Sequence, residues 1–161
     1  MMSIIPIGKV GIMKISAKSE YGIIALIDVA NHFGSEPVQV REIAGRYNIP
    51  ERFLEQIMTS LKKAGLVKSV RGAHGGYQLE KRPWEISLGD VLRVLEGEMA
   101  PMYCVSDGSK DQCSKERLCA LRDVWEEIKG CMQKTLSSIT LKDMCDKKME
   151  RERIASPMYY I

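Results

Sequence analysis

The sequence predicts a mainly α-helical chain carrying one small β-hairpin. Three observations point there. Apolar residues recur at helical spacing along most of the chain, most clearly at Leu54, Ile57, Met58 and Leu61. Two short strand-like runs, 66–70 and 77–79, flank the glycine-rich stretch Arg71-Gly72-Ala73-His74-Gly75-Gly76. Beyond them, Leu121, Val124, Trp125, Ile128, Cys131, Met132 and Ile139 mark one long amphipathic helix. At 161 residues the chain is one domain, or one domain with a short appendage.

Taken in order, 1–12 is a short apolar leader broken by Pro6, Gly8 and Gly11, without the basic start of a signal peptide. A first helix is expected over 16–30, with Ser16 as N-cap and Gly34 and Pro37 beyond its end. A short second helix spans 40–47. Asn48-Ile49-Pro50 then forms a tight turn, since Asn tolerates the left-handed conformation and Pro opens a helix well. The third helix runs over 50–64, with Gly65 as its cap. After the hairpin and Pro83-Trp84 comes a helix over 87–96. The stretch 99–118 has no sustained period, and a loop of that length is usually functional or disordered. Thr140 caps a last helix over 141–150, and 151–161 is a tail.

Short helix, tight turn, patterned helix and basic glycine hairpin, preceded by a further helix, is the order of a winged helix-turn-helix, expected over 13–84. The remainder, 85–150, holds one helix, the cysteine-bearing loop and the dimerisation helices, the long C-terminal helix and the last helix over 141–150. The apolar stripe of that long helix is wider than a monomer of this size needs, which predicts a homodimer seam.

Charge distribution agrees with a nucleic-acid partner. The whole chain is only +3, but 41–82 carries nine Lys or Arg against four Glu. The outward face of the third helix offers Arg52, Glu55, Gln56, Thr59, Lys62 and Lys63. A helix fits the major groove, where Arg52 and Gln56 can reach base edges while Lys62 and Lys63 hold phosphates. Arg71 at the wing tip suits the narrow minor groove. His74 is expected to contact phosphate or face solvent. The competing expectation is a winged helix that binds protein, its charged face merely solvated. No stretch approaches the length of a membrane span. There is no phosphate-binding glycine loop and no nucleophile–base pair, so no enzyme is expected.

Five cysteines without a secretory signal predict a cytoplasmic protein in a reducing compartment. Cys104, Cys113 and Cys119 stand in the loop at spacing C-x8-C-x5-C. Thiolates are the soft ligands that iron–sulfur clusters need, but three loop cysteines also suit a zinc site or a redox thiol. Cys131 and Cys145 lie on apolar stripes and are expected to pack in the core.

Several motifs resemble the Rrf-two family of bacterial transcriptional regulators: Met13-Lys14-Ile15-Ser16, Tyr21-Gly22, Phe53-Leu54-Glu55-Gln56, Ala64 to Gly72, and Gly75-Gly76-Tyr77-Gln78-Leu79. The resemblance covers 13–147 and includes the IscR-like, NsrR-like and CymR-like groups. It implies a homodimer binding double-stranded operator DNA, with Glu55 and Gln56 reading bases and Arg71 in the minor groove. IscR-like members have Ser in place of Arg52.

The resemblance also bears on the loop. Cluster-binding members carry three cysteines there, which implies a 2Fe–2S or 4Fe–4S cluster sensing iron, redox state or nitric oxide. Here the first gap is eight residues rather than five, and Arg122 replaces the histidine ligand of IscR-like chains. In NsrR-like proteins an acidic residue of the partner subunit's first helix completes the set, and Glu20 matches that position; alternatively it is a surface carboxylate favoured by the helix dipole. The CymR-like alternative is a regulator of cysteine metabolism acting through a protein partner or thiol redox without a cluster. In that setting the apolar tail residues Tyr159, Tyr160 and Ile161 resemble a segment that docks into cysteine synthase. The competing expectation is that the tail folds back on the dimer.

Overall fold

A computed structural model describes residues 15–72, 74–107 and 119–155. The leader 1–12, Cys113 and the tail residues Tyr159, Tyr160 and Ile161 lie outside the described residues. Six helices, α1 (Ala17–Asn31), α2 (Val40–Tyr47), α3 (Glu51–Lys63), α4 (Leu88–Glu96), α5 (Ala120–Ser138) and α6 (Leu141–Ala155), accompany strands β1 (Val67–Val70) and β2 (Gly76–Leu79). The strands pair antiparallel, Val67 opposite Leu79 and Val70 opposite Gly76.

Local chemistry sets the helix ends. Ser16 accepts the Ser19 amide 3.3 Å away and caps α1. Asn48 takes the left-handed conformation (φ 52°, ψ 45°) that turns the chain from α2 into α3. Pro50 is itself the N-cap of α3, one position before the first helical residue where it was expected. At the other end Ala64 is the C-cap and Gly65 follows with φ +72°, the position at which glycine ends helices without a Cβ clash. Ser87 and Asp90 form a reciprocal capping box at α4. α6 continues five residues beyond the expected 150, to Ala155.

The core lies among α1, α3, α4 and α6. Leu26, Ile43, Leu54, Ile57, Met58, Leu61, Ile86 and Leu141 are fully buried. The period read at Leu54, Ile57, Met58 and Leu61 is therefore the inward face of α3, which leaves the opposite face for solvent or a ligand. α5 stands apart. Its only buried residue is Lys129, while Leu121, Val124 and Ile128 are 65%, 49% and 39% exposed.

One expectation is corrected here. Cys145 is buried, its thiol 3.7 Å from the Ile27 carbonyl oxygen, and burial pushes that thiol pKa up. Cys131 is exposed on α5 rather than packed in the core. It shares the outward stripe of Leu121, Val124 and Ile128, which none of the described residues covers.

Candidate nucleic-acid interface and cysteine segment

Arg52, Glu55, Gln56, Thr59, Lys62 and Lys63 are all exposed on the outward face of α3. Thr59 Oγ1 donates to the Glu55 carbonyl (2.8 Å). Lys62 Nζ donates to Ser69 Oγ at 2.6 Å, tying the end of α3 to β1. One of its three N–H donors is thus used to orient the hairpin relative to the helix. Arg71 and His74 are exposed in the loop between the strands. The Gly75 amide donates to the Gly72 carbonyl (2.9 Å) to close that loop, and Gly72 has φ +116°.

The hairpin is held from behind by a contact that local sequence does not announce. Val38, in the α1–α2 connection, bridges to Tyr77: Val38 N donates to Tyr77 O (3.0 Å) and Tyr77 N to Val38 O (2.8 Å). A third extended segment thus joins the two strands. A second such tie joins α1 to α2, where Asp28, 2% exposed, is ion-paired with Arg46 and accepts the Tyr47 hydroxyl at 3.3 Å. Lys148 of α6 reaches the same Tyr47 hydroxyl (2.6 Å) and lies over its ring. The sequence signal for this network is a carboxylate between Ile27 and Val29, inside an apolar run, where an unpaired charge is not tolerated.

Glu20 is exposed in the first turn of α1. Cys104 lies in a 3₁₀ turn over Tyr103–Val105, and Cys119 is the N-cap residue of α5. Both are half-buried free thiols. Among the described residues, no three His, Cys, Asp or Glu side chains come together as a metal-binding group. The chemistry of the donors nonetheless fits an iron–sulfur group, because two uncommitted thiols bracket the segment that contains a third.

Sequence reasoning missed Lys129. Its Nζ donates to Glu98 Oε1 (2.9 Å), Asp107 Oδ1 (2.9 Å) and the Val105 carbonyl (2.7 Å). The bonds to Glu98 and then to Asp107 raise its pKa above the ordinary lysine value despite burial. The available signal was a lysine on the same face of α5 as Trp125, Met132 and Leu136.

Among the described residues, no helix is long and apolar enough to cross a membrane. Residues 15–147 match the model of the family Rrf2, described as an iron-dependent transcriptional regulator. The chain is 39% identical over 132 residues to the HTH-type transcriptional regulator CymR of Bacillus subtilis, covering 82% of this chain and 89% of that one. The solved structure of B. subtilis CymR, described as a global cysteine regulator, superposes with a TM-score of 0.71 at 37% identity, covering 84% of this chain and 98% of that one. The structure of T. potens IscR gives a TM-score of 0.70 at 40% identity, covering 92% and 97%. The exposed face of α3, the docked hairpin and these likenesses lead to one conclusion: the chain belongs to the Rrf2 family of DNA-binding transcriptional regulators, which are not enzymes.

Proposed function

We propose that the chain is a cytoplasmic homodimer that binds double-stranded operator DNA and is switched by an iron–sulfur cluster held by Cys104, Cys113 and Cys119. The observation that carries the reading is the pairing of an exposed, polar α3 face and basic wing with a segment bracketed by free thiols. In this reading Arg52, Glu55, Gln56 and Thr59 meet base edges, Lys62, Lys63 and His74 meet phosphates, and Arg71 enters the minor groove. The uncovered stripe of α5 supports the dimer, since a second copy would remove its apolar surface from water. Glu20 of a second copy is the proposed fourth ligand.

The bound cluster would supply a redox- and iron-sensitive charge beside the helix proposed to join the subunits. The residues of this chain do the rest. Cys119 is the N-cap of α5, and Cys104 stands next to Val105, whose carbonyl accepts from Lys129 of α5, so a change at the thiols reaches the helix proposed to join the subunits. Such a change alters operator affinity only by the difference in stability it makes between two arrangements of the dimer.

Likeness to CymR favours a second reading, in which the protein regulates cysteine metabolism without a cluster, through thiol redox or through capture of the tail residues Tyr159, Tyr160 and Ile161 by cysteine synthase. Native mass spectrometry on protein purified without oxygen, with iron and acid-labile sulfide assayed on the same sample, separates the two. A dimer carrying a discrete iron–sulfur mass is expected. A dimer without iron, and taking up none on reconstitution, overturns the cluster reading and leaves the second.

A further inference from the structure

We infer that Lys129 is a positioning residue for Cys104: it latches the first arm of the cysteine segment to α5 and so sets the reach of that thiol. Its consequence for iron rests on the cluster reading above; the positioning itself does not.

The argument begins where α4 ends. Gly97 takes φ +87°, a conformation that L side chains avoid, and its amide donates to the Arg93 carbonyl (3.1 Å). The chain therefore leaves α4 sharply, and Glu98 reaches the Lys129 ammonium of α5. Glu98 serves twice, because its two oxygens also accept the Asp107 amide at 2.8 and 2.9 Å. Asp107 returns its own carboxylate to Lys129, and the Val105 carbonyl, one residue past Cys104, completes the three acceptors. Residues 98, 105 and 107 are thus drawn to one ammonium whose side chain is only 9% exposed.

The distribution of exposure shows what the arrangement is for. A buried cation is costly to desolvate unless it is paired and hydrogen-bonded. Here all three N–H donors are satisfied, so the lysine is retained. Its partners are not sealed in: the side chain of Glu98 is 32% exposed and that of Asp107 is 77% exposed. Water can replace the lysine for either carboxylate. The cross-link therefore satisfies the ammonium while assembled and is releasable without stranding a buried anion. A hydrophobic residue in place of Lys129 would fill the same site and hold nothing, which makes the ammonium a tether more than a source of stability. Since Val105 is buried and Cys104 is its neighbour, the tether controls how far that thiol can travel.

The test is peptide-resolved alkylation of the full-length, reduced, iron-free chain with a small maleimide. Lys129→Met is expected to speed alkylation of Cys104 by 5-fold or more, with Lys129→Arg slower than Lys129→Met and Cys145 as protected as in wild type. Loss of a neighbouring cation by itself slows thiolate chemistry, so acceleration reports release of the arm. Should Lys129→Met fail to fold, shown by loss of Cys145 protection, the isosteric pair Glu98→Gln and Asp107→Asn tests the same tether from the acceptor side with the same expectation. A Cys104 rate within 2-fold of wild type, in a folded variant of either kind, overturns the inference. On anaerobically loaded protein, Lys129→Met is further expected to shorten iron retention against a chelator by 3-fold or more. If wild type takes up no iron, the cluster reading fails and the alkylation result alone decides the latch.

Discussion

Gly76 lies against Val38 so closely that a Cβ on it would sit 2.5 Å from the Val38 carbonyl oxygen and 2.6 Å from its carbonyl carbon. Both are backbone atoms, and the oxygen already accepts the Tyr77 amide, so they cannot yield as a side chain could. Gly76→Ala is expected to cost about 1–3 kcal/mol, as overpacking of a tight contact does. It is also expected to weaken DNA binding, because the hairpin loses its support from the α1–α2 connection. Thermal unfolding and fluorescence anisotropy with operator DNA check the two halves; unchanged values in both mean the bridge does not hold the wing.

The pair Asp28–Arg46 predicts an asymmetry. Arg46→Met leaves a carboxylate side chain that is 3% exposed without its cation, and removing one partner of a buried pair costs about 3–5 kcal/mol. Asp28→Ala leaves an arginine whose side chain is 43% exposed and can hydrate, so the loss is nearer that of one charged hydrogen bond, about 1.5–3 kcal/mol. Urea denaturation of the two variants is expected to rank them in that order.

Three carboxylates sit at helix starts or reach them. The Ser87 hydroxyl holds Asp90 below the usual carboxylate range, the Ser16 hydroxyl does so for Glu96, and the Thr140 backbone amide, then its hydroxyl, for Asp143. A carboxylate with a folded pKa below its unfolded value adds stability that is fully present above the unfolded value. That stability is lost as pH falls through the folded one, below about pH 4. Unfolding midpoints at pH 7, 4 and 3 are expected to drop over that window. Asp90→Asn and Asp143→Asn are expected to lower the midpoint at pH 7 and flatten the acid limb. An equally steep limb in the double variant would remove the caps as its cause.

At the proposed DNA interface, Lys63→Ala is expected to weaken binding to all sequences alike and to reduce the slope of log affinity against log salt by about 1. Gln56→Ala is expected to cost about 1–3 kcal/mol on the operator and to relax preference at one base position, with the salt slope unchanged. Titrations at several salt concentrations, on operator and scrambled duplexes, separate the two behaviours. Salt-independent binding would point to a protein partner for the α3 face.

What the sequence alone determined is local: the inward stripe of α3, the Asn48 turn, the Gly65 helix end, the Ser16 and Thr140 caps, and a glycine hairpin beside a polar helix face. Each follows from the period of an element or the conformational range of one residue, and both are properties of a few neighbouring positions. The order of those elements, with the motifs of 13–147, was enough to place the chain in its family. Only the tertiary structure decided which distant residues meet. Val38 docks the wing, Arg46 answers Asp28, and Glu98 and Asp107 answer Lys129; in each case the partners lie far apart in the chain, and periodicity carries no information about range. Cys131 shows the limit most plainly. A helical stripe says that a face is apolar, not what covers it. On α6 the stripe packs against the chain's own core and buries Cys145, whereas on α5 it faces outward and leaves Cys131 exposed.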